Sequence, residues 1–261
     1  MNTLKILLVG NSFAVDTMEH TANIASNLGI KDINFCTLYV GGCSIDMHYK
    51  HAVADMPIYK LYTNIGDGWS CEEEFTISNA VILDDWDWIV IQHGTYGTSR
   101  YTSPECYDNL TPLIRYIKER APKNTKIAFN LTWIGEPTSN HHEIVSYNGD
   151  VATMRQKLIE VTKKMVLENP QIDLLIPTGT AIENARTSQI GLLTRDGYHL
   201  SMDVGRFIAG LTFICKITGL NPNDISWAPD GVDEYAFNVA KESAVNAIKE
   251  PLKITLSKVI K

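Results

Sequence analysis

Three residues in this chain have side chains whose chemistry suits acyl transfer: Ser12 near the start, and Asp196 and His199, three apart, near the end. A serine hydroxyl attacks a carbonyl only when a base takes its proton and hydrogen-bond donors stabilise the oxyanion that forms. Asp196-Gly197-Tyr198-His199 offers such a base. In a loop, this spacing lets the carboxylate reach the imidazole and fix its tautomer, leaving the other ring nitrogen for the serine. A metal pair is the competing use of an Asp and a His, but no H-E-x-x-H or other ligand cluster accompanies them, so no metal is expected. Cys43 has no base spaced with it and reads as a small buried thiol.

The elements that must position these residues follow from hydrophobic periodicity. Apolar runs bounded by turn residues at 4–9, 33–40, 88–92, 126–132 and 172–177 predict strands. Helical patterns at 16–28, 104–120, 148–168 and 201–218 fall between or after them. Strands alternating with helices predict an α/β fold with a parallel sheet, and the nearly continuous apolar runs fit strands buried on both faces. Ser12 then stands where the first strand passes into a helix. Asp16-Thr17-Met18-Glu19 has the spacing of a capping box and predicts that this helix starts at Asp16. Residues 59–76 suggest a hairpin around Asp67-Gly68, and residues 138–147, with His141 and His142, a polar loop. Pro251 should break or kink the last helix.

Bulk properties narrow the partners. With 261 residues, the chain is long enough for one α/β domain, expected as a core over about 4–220 with a helical extension over 221–261. A formal charge of -7 and the lack of a Lys/Arg cluster argue against nucleic acid or an anionic membrane. No apolar run approaches the roughly 20 residues of a membrane helix. The N-terminal run reads as the first strand rather than a signal segment, which predicts a cytoplasmic protein. The five cysteines are scattered and contain no C-x-x-C, so reduced thiols are expected.

Gly10-Asn11-Ser12-Phe13, Gly41-Gly42 after the second strand and Asp196-x-x-His199 resemble three of the four blocks of the SGNH (GDSL-like) hydrolases. Together with VGGCSIDMH, DWDWIVIQHG, NLTW, GTAIENARTS and TRDGYHLS, they resemble an uncharacterised bacterial branch of that superfamily, over about residues 4–220. The resemblance implies a three-layer α/β/α flavodoxin-like sandwich with a central parallel five-stranded sheet. It also implies a cofactor-free serine esterase acting on short acyl groups of a carbohydrate or small-molecule ester. Carried over by position, Ser12 is the nucleophile, His199 the base and Asp196 its orienting acid, with the Ser12 and Gly42 N–H groups in the oxyanion hole.

The fourth block departs from the superfamily's Gly-x-Asn-Asp, reading Gln92-His93-Gly94-Thr95-Tyr96-Gly97. Gln92 at the strand end, or Tyr96 in the literal register of the missing Asn, would supply the third oxyanion donor. The Gln92 amide keeps the chemistry and is preferred. Tyr96, His48, His93 and Trp133 are expected to contact substrate, since open α/β sheets place ligands at the carboxyl ends of their strands. Two rivals follow: a degenerate member that binds a glycan without cleaving it, and a nucleotide-binding module, which the lack of G-x-G-x-x-G disfavours.

Overall fold

The computed structural model describes residues 3–94 and 102–261, which fall into two compact units interleaved along the chain. The first comprises Met1–Val15, Lys31–Phe129 and Met154–Leu175, and the second Asp16–Ile30, Asn130–Thr153 and Ile176–Lys261. The protein is of the expected α/β class, with a central sheet flanked by helices.

Among the described residues the seven strands are β1 (Leu4–Gly10), β2 (Ile33–Tyr39), β3 (Tyr59–Asn64), β4 (Trp69–Phe75), β5 (Trp88–Gln92), β6 (Lys126–Asn130) and β7 (Leu174–Ile176). Their order in the sheet is β4-β3-β2-β1-β5-β6-β7. β1 runs parallel to β2, with Leu4 opposite Ile33, and parallel to β5, with Ile6 opposite Trp88. Ile6, Leu7, Leu8 and Val9 are fully buried, which is why this strand reads as an unbroken apolar run.

Without β3 and β4, the order β2-β1-β5-β6-β7 is the flavodoxin-like 2-1-3-4-5. The expected five strands become seven because the hairpin around Asp67-Gly68 adds two antiparallel strands to the β2 edge. Gly66 and Gly68, at φ +115° and +110°, supply the left-handed backbone its turn requires. β4 closes this edge with Glu72, Glu73 and Glu74, all exposed, and charge on an edge strand discourages pairing with other chains.

The helices are α1 (Ser12–Met18), α2 (Thr21–Asn27), α3 (Ile45–Val53), α4 (Ile77–Val81), α5 (Leu110–Lys118), α6 (His142–Ser146), α7 (Val151–Thr162), α8 (Thr178–Arg186), α9 (Val204–Thr218) and α10 (Glu234–Lys249). α5 buries Leu110, Leu113, Ile114 and Ile117, a single stripe at i, i+3, i+4 and i+7. In the second unit α9 is apolar nearly all round and packs with α2, α8 and α10. Gly219 ends it at φ +76°, a left-handed cap. α10 ends before Pro251, as expected.

Two local expectations fail. The helix predicted over 16–28 is instead α1 and α2, broken at Glu19 and His20, where the Thr21 hydroxyl donates to the Met18 carbonyl at 2.6 Å and so competes with the helical ladder. α1 starts at Ser12, four residues before the proposed capping box. Its cap is Asn11, whose side-chain oxygen accepts the Phe13 N–H at 3.0 Å. The loop expected over 138–147 holds α6, with His141 at its N-cap.

Candidate active site

Ser12, Gly42 and Gln92 belong to the first unit. β1 ends at Gly10, and a Cβ there would lie 2.8 Å from Ala14 Cβ and 2.9 Å from Gln92 Cγ, so the turn into α1 has room only for glycine. Ser12 follows Asn11 at the first position of α1 and is partly exposed. Asn11 itself is buried and ties three segments together. Its amide donates to the Cys43 carbonyl at 3.1 Å, and its oxygen accepts from the Gln92 amide at 3.1 Å. Gly42 turns at φ +62° immediately before Cys43. A Cβ on Gly94 would sit 1.8 Å from the Asn11 amide nitrogen, so the chain after β5 also closes on this residue. The segments carrying the three expected oxyanion donors thus converge on Asn11. Gln92 is fully buried, and its side-chain amide donates to Asn11. Tyr96 lies outside the described residues.

His48 and His93 do not face open surface: they are 0% and 2% exposed. His48 stacks on Tyr59, with its Nδ1 2.8 Å from the Tyr59 hydroxyl and 3.4 Å from Cys43 Sγ, while its Nε2 has no partner among the described residues. Cys43 therefore does have an imidazole beside it, five residues on, which its sequence spacing did not suggest. The contact activates nothing, because burial pushes the thiol up to about 12. His93 packs against Tyr107, with ring centroids 5.0 Å apart.

Burial lowers both histidines to about 3. An unfolded chain takes up these protons first, so stability falls as pH drops from the ordinary histidine range toward the folded values. On the order of 5 kcal/mol is lost per histidine once the shift is fully expressed. The urea midpoint is therefore expected to fall steadily from about pH 7 to about pH 4, and His48→Asn to flatten the slope. A midpoint independent of pH over that interval would contradict the buried neutral pair.

Asp196, His199 and Trp133 belong to the second unit, where the structure brings the expected acid and base together. His199 Nδ1–H donates to Asp196 Oδ2 at 2.6 Å, and Asp196 Oδ1 accepts the backbone N–H groups of His199 at 2.8 Å and Tyr198 at 3.2 Å. Burial pushes the Asp196 carboxyl up, but these hydrogen bonds outweigh it and hold the group below the usual carboxylate range. Gly197, at φ +91°, makes the turn between them.

The loop is held from several sides. Thr194 and Leu200 form an antiparallel bridge, and the Arg195 N–H donates to the His199 carbonyl at 2.9 Å. Trp133, expected to wall a substrate pocket, is fully buried, and its indole N–H donates to the Tyr198 carbonyl at 2.7 Å. A buried indole N–H needs an acceptor, and this one is spent on the loop that carries His199. Asp16, predicted as a cap, lies within α1 at 0% exposure and accepts the Leu200 N–H at 2.8 Å. Arg186 is committed to Glu183, the Ile134 carbonyl and Glu136.

The polar loop histidines also matter here. The rings of His142, His141, Tyr198 and His199 follow one another at centroid distances of 4.4, 4.8 and 4.2 Å, each partly exposed. A cleft of about 630 Å³ is lined by Leu4, Trp88 and Lys126, the first residues of β1, β5 and β6, among others. That is the strand end opposite Ser12 and Gln92. Among the described residues, no cluster of His, Cys, Asp and Glu has the arrangement of a metal site, and no helix is long and apolar enough to cross a membrane. All five cysteines are free thiols.

Fold and site together define an α/β protein of flavodoxin-like strand order, with a serine where its first strand enters a helix and a hydrogen-bonded Asp–His pair in a clamped loop. The chain belongs to the DUF4886 family, a domain of unknown function whose model matches residues 5–247. A crystal structure of a DUF4886 family protein from Bacteroides uniformis is 31% identical, with complete coverage of both chains (100% each) and a TM-score of 0.93. More distant solved structures include LAE5, an alpha/beta hydrolase enzyme from the metagenome of Lake Arreo, at 12% identity, 83% coverage of this chain and 95% of that one, TM-score 0.49. A mutant of Axe2, an acetyl-xylooligosaccharide esterase from Geobacillus stearothermophilus, is 13% identical over 86% of this chain and 94% of its own, TM-score 0.45. Likenesses this remote say nothing of the chemistry. No curated protein matches the chain.

Proposed function

We propose that the protein is a serine esterase of the SGNH type, removing acetyl or other short acyl groups from a carbohydrate or small-molecule ester. The observation that carries this reading is the Asp196–His199 pair: a carboxylate fixed by two backbone N–H groups and bonded to Nδ1 orients the imidazole, leaving Nε2 to act as base. Ser12, partly exposed at the start of α1, is the nucleophile. It attacks the ester carbonyl as His199 takes its proton; the Ser12 and Gly42 N–H groups and the Gln92 amide hold the oxyanion. His199 returns the proton to the leaving alcohol, and water then releases the acyl group by the reverse sequence. No cofactor takes part. The His142-His141-Tyr198 ring strip beside the imidazole supports a substrate with a ring that lies against π faces, such as a pyranose.

The engagement of Gln92 with Asn11 favours a second, weaker reading, in which the site binds a glycan without turnover, since loss of one oxyanion donor costs about 3 kcal/mol in the barrier. One experiment separates the two. The wild type is expected to release p-nitrophenol from p-nitrophenyl acetate and to lose that activity on reaction with an organophosphate, the adduct mapping to Ser12 by mass spectrometry. An unlabelled Ser12 with no hydrolysis would leave only the binding reading.

A further inference from the structure

We propose that Asp16 is a positioning residue of this site: it holds the Asp196–His199 loop to the helix that begins with the nucleophile. The proposal rests on the esterase reading above.

Asp16 is fully buried, and both carboxylate oxygens are taken. Oδ1 accepts from Arg195 at 2.9 Å and from two nitrogens of Arg206 at 2.9 and 2.8 Å; Oδ2 accepts the Leu200 N–H at 2.8 Å. Arg195 also donates to the Leu200 carbonyl, and Arg206 to Glu19 at 2.8 Å. Leu200 is the residue after His199. Its N–H is held by Asp16 and its carbonyl by Arg195, while the Arg195 N–H holds the His199 carbonyl. The backbone on the C-terminal side of the base is therefore fixed at three successive polar groups, and two of the three bonds come from Asp16 and the guanidinium paired with it.

Packing alone does not explain this choice. A buried ion pair is often no more stable than well-packed apolar side chains of the same volume, so a carboxylate at this position adds little stability over a leucine. What the carboxylate adds is direction, a rigid two-oxygen acceptor that reads one backbone N–H and two guanidinium groups at once. Its place in α1 gives that direction a use. Asp16 follows Ser12 by four residues, one helical turn, on the same face of the helix. A base displaced by about 1 Å costs roughly 100-fold in rate, so an anchor one turn from the nucleophile acts on the step with the least tolerance.

Asp16→Asn keeps the volume and removes the charge and one acceptor. Its kcat on p-nitrophenyl acetate is expected to fall about 100-fold with KM within about twofold of wild type, because the acyl subsite is untouched. In a Ser12→Ala background, Asp16→Asn is also expected to speed hydrogen exchange at the Leu200 amide and to shift the His199 ring ¹⁵N signals. These readouts need no catalysis, so they decide the proposal even if Ser12→Ala proves as active as wild type and the nucleophile assignment falls. Wild-type kcat together with unchanged His199 and Leu200 signals would overturn the role of Asp16 and leave Ser12 standing. Should Asp16→Asn not fold, Arg195→Gln decides. Arg195 is 34% exposed and Arg206 still pairs with Asp16, so a folded variant with kcat lowered about tenfold at constant KM is expected, and an unchanged kcat overturns the proposal.

Discussion

Ser12→Ala is expected to bring ester hydrolysis down to background, a loss of about 10⁴- to 10⁶-fold in kcat. The bonds that shape the turn belong to Asn11, which keeps its contacts to Phe13, Cys43 and Gln92 when the hydroxyl is removed. Alanine is also the strongest helix former and suits the first turn of α1. Thermal unfolding should therefore shift by no more than about 1 kcal/mol in equivalent stability, and the loss of rate cannot be laid to loss of fold. A mutant with the wild-type rate would remove Ser12 from the mechanism. A mutant that keeps ligand binding but loses turnover is the expected outcome.

Asp196→Asn is expected to cost about 10⁴-fold in kcat at nearly constant stability, the loss seen when an orienting carboxylate becomes an amide and the imidazole is held in the wrong tautomer. The geometry gives the reason. One oxygen of Asp196 accepts two backbone N–H groups, and the other accepts Nδ1–H. An asparagine that keeps its oxygen toward the backbone must present its NH₂ to the ring. Nδ1 then becomes an acceptor, Nε2 carries the proton, and nothing remains to receive the proton of the serine. The pH dependence has a definite sign. Asp196 is held below the usual carboxylate range, so acid strong enough to protonate it removes the acceptor of Nδ1–H, and the rate is expected to fall as the pH drops through that range. An Asp196→Asn enzyme within tenfold of wild type would exclude the orienting role.

Much of the sheet was legible because its inner strands are buried on both faces, which leaves nearly pure runs such as Ile6 to Val9. The hairpin was signalled by Asp67-Gly68, but its strands did not enter the count. β4 carries Glu72 to Glu74 on an open edge and has neither an apolar run nor a clean alternation. The Asp–His pair was legible because both partners and the turn-making Gly197 lie within four residues.

The supports of that pair were not legible, and the reason is distance along the chain. Asp16 resembled a cap because a local window sees Thr17, Met18 and Glu19, whereas its actual partners lie 179, 184 and 190 residues away. Trp133 and His48 were expected at a ligand because of their places near the carboxyl ends of the strands, yet the Trp133 indole N–H meets the Tyr198 carbonyl and the His48 Nδ1 the Tyr59 hydroxyl. Asn11 could have been found: Asn is among the favoured residues immediately before a helix, and here that preference outranked the capping-box spacing.

The long reach of Asp16 bears on when the site forms. During synthesis α1 leaves the ribosome early, but the guanidinium groups that neutralise its carboxylate follow only with residues 195 and 206. A buried carboxylate without its partners is costly, so Asp16 stays solvated until residues 195 and 206 have been made. Contacts of such long sequence separation form slowly. Folding of the β1–β2–β5 core can therefore run ahead of closure of the Asp196–His199 loop on Asp16, and the proposed esterase activity is expected to return later than β-sheet signal when the unfolded protein is diluted from denaturant.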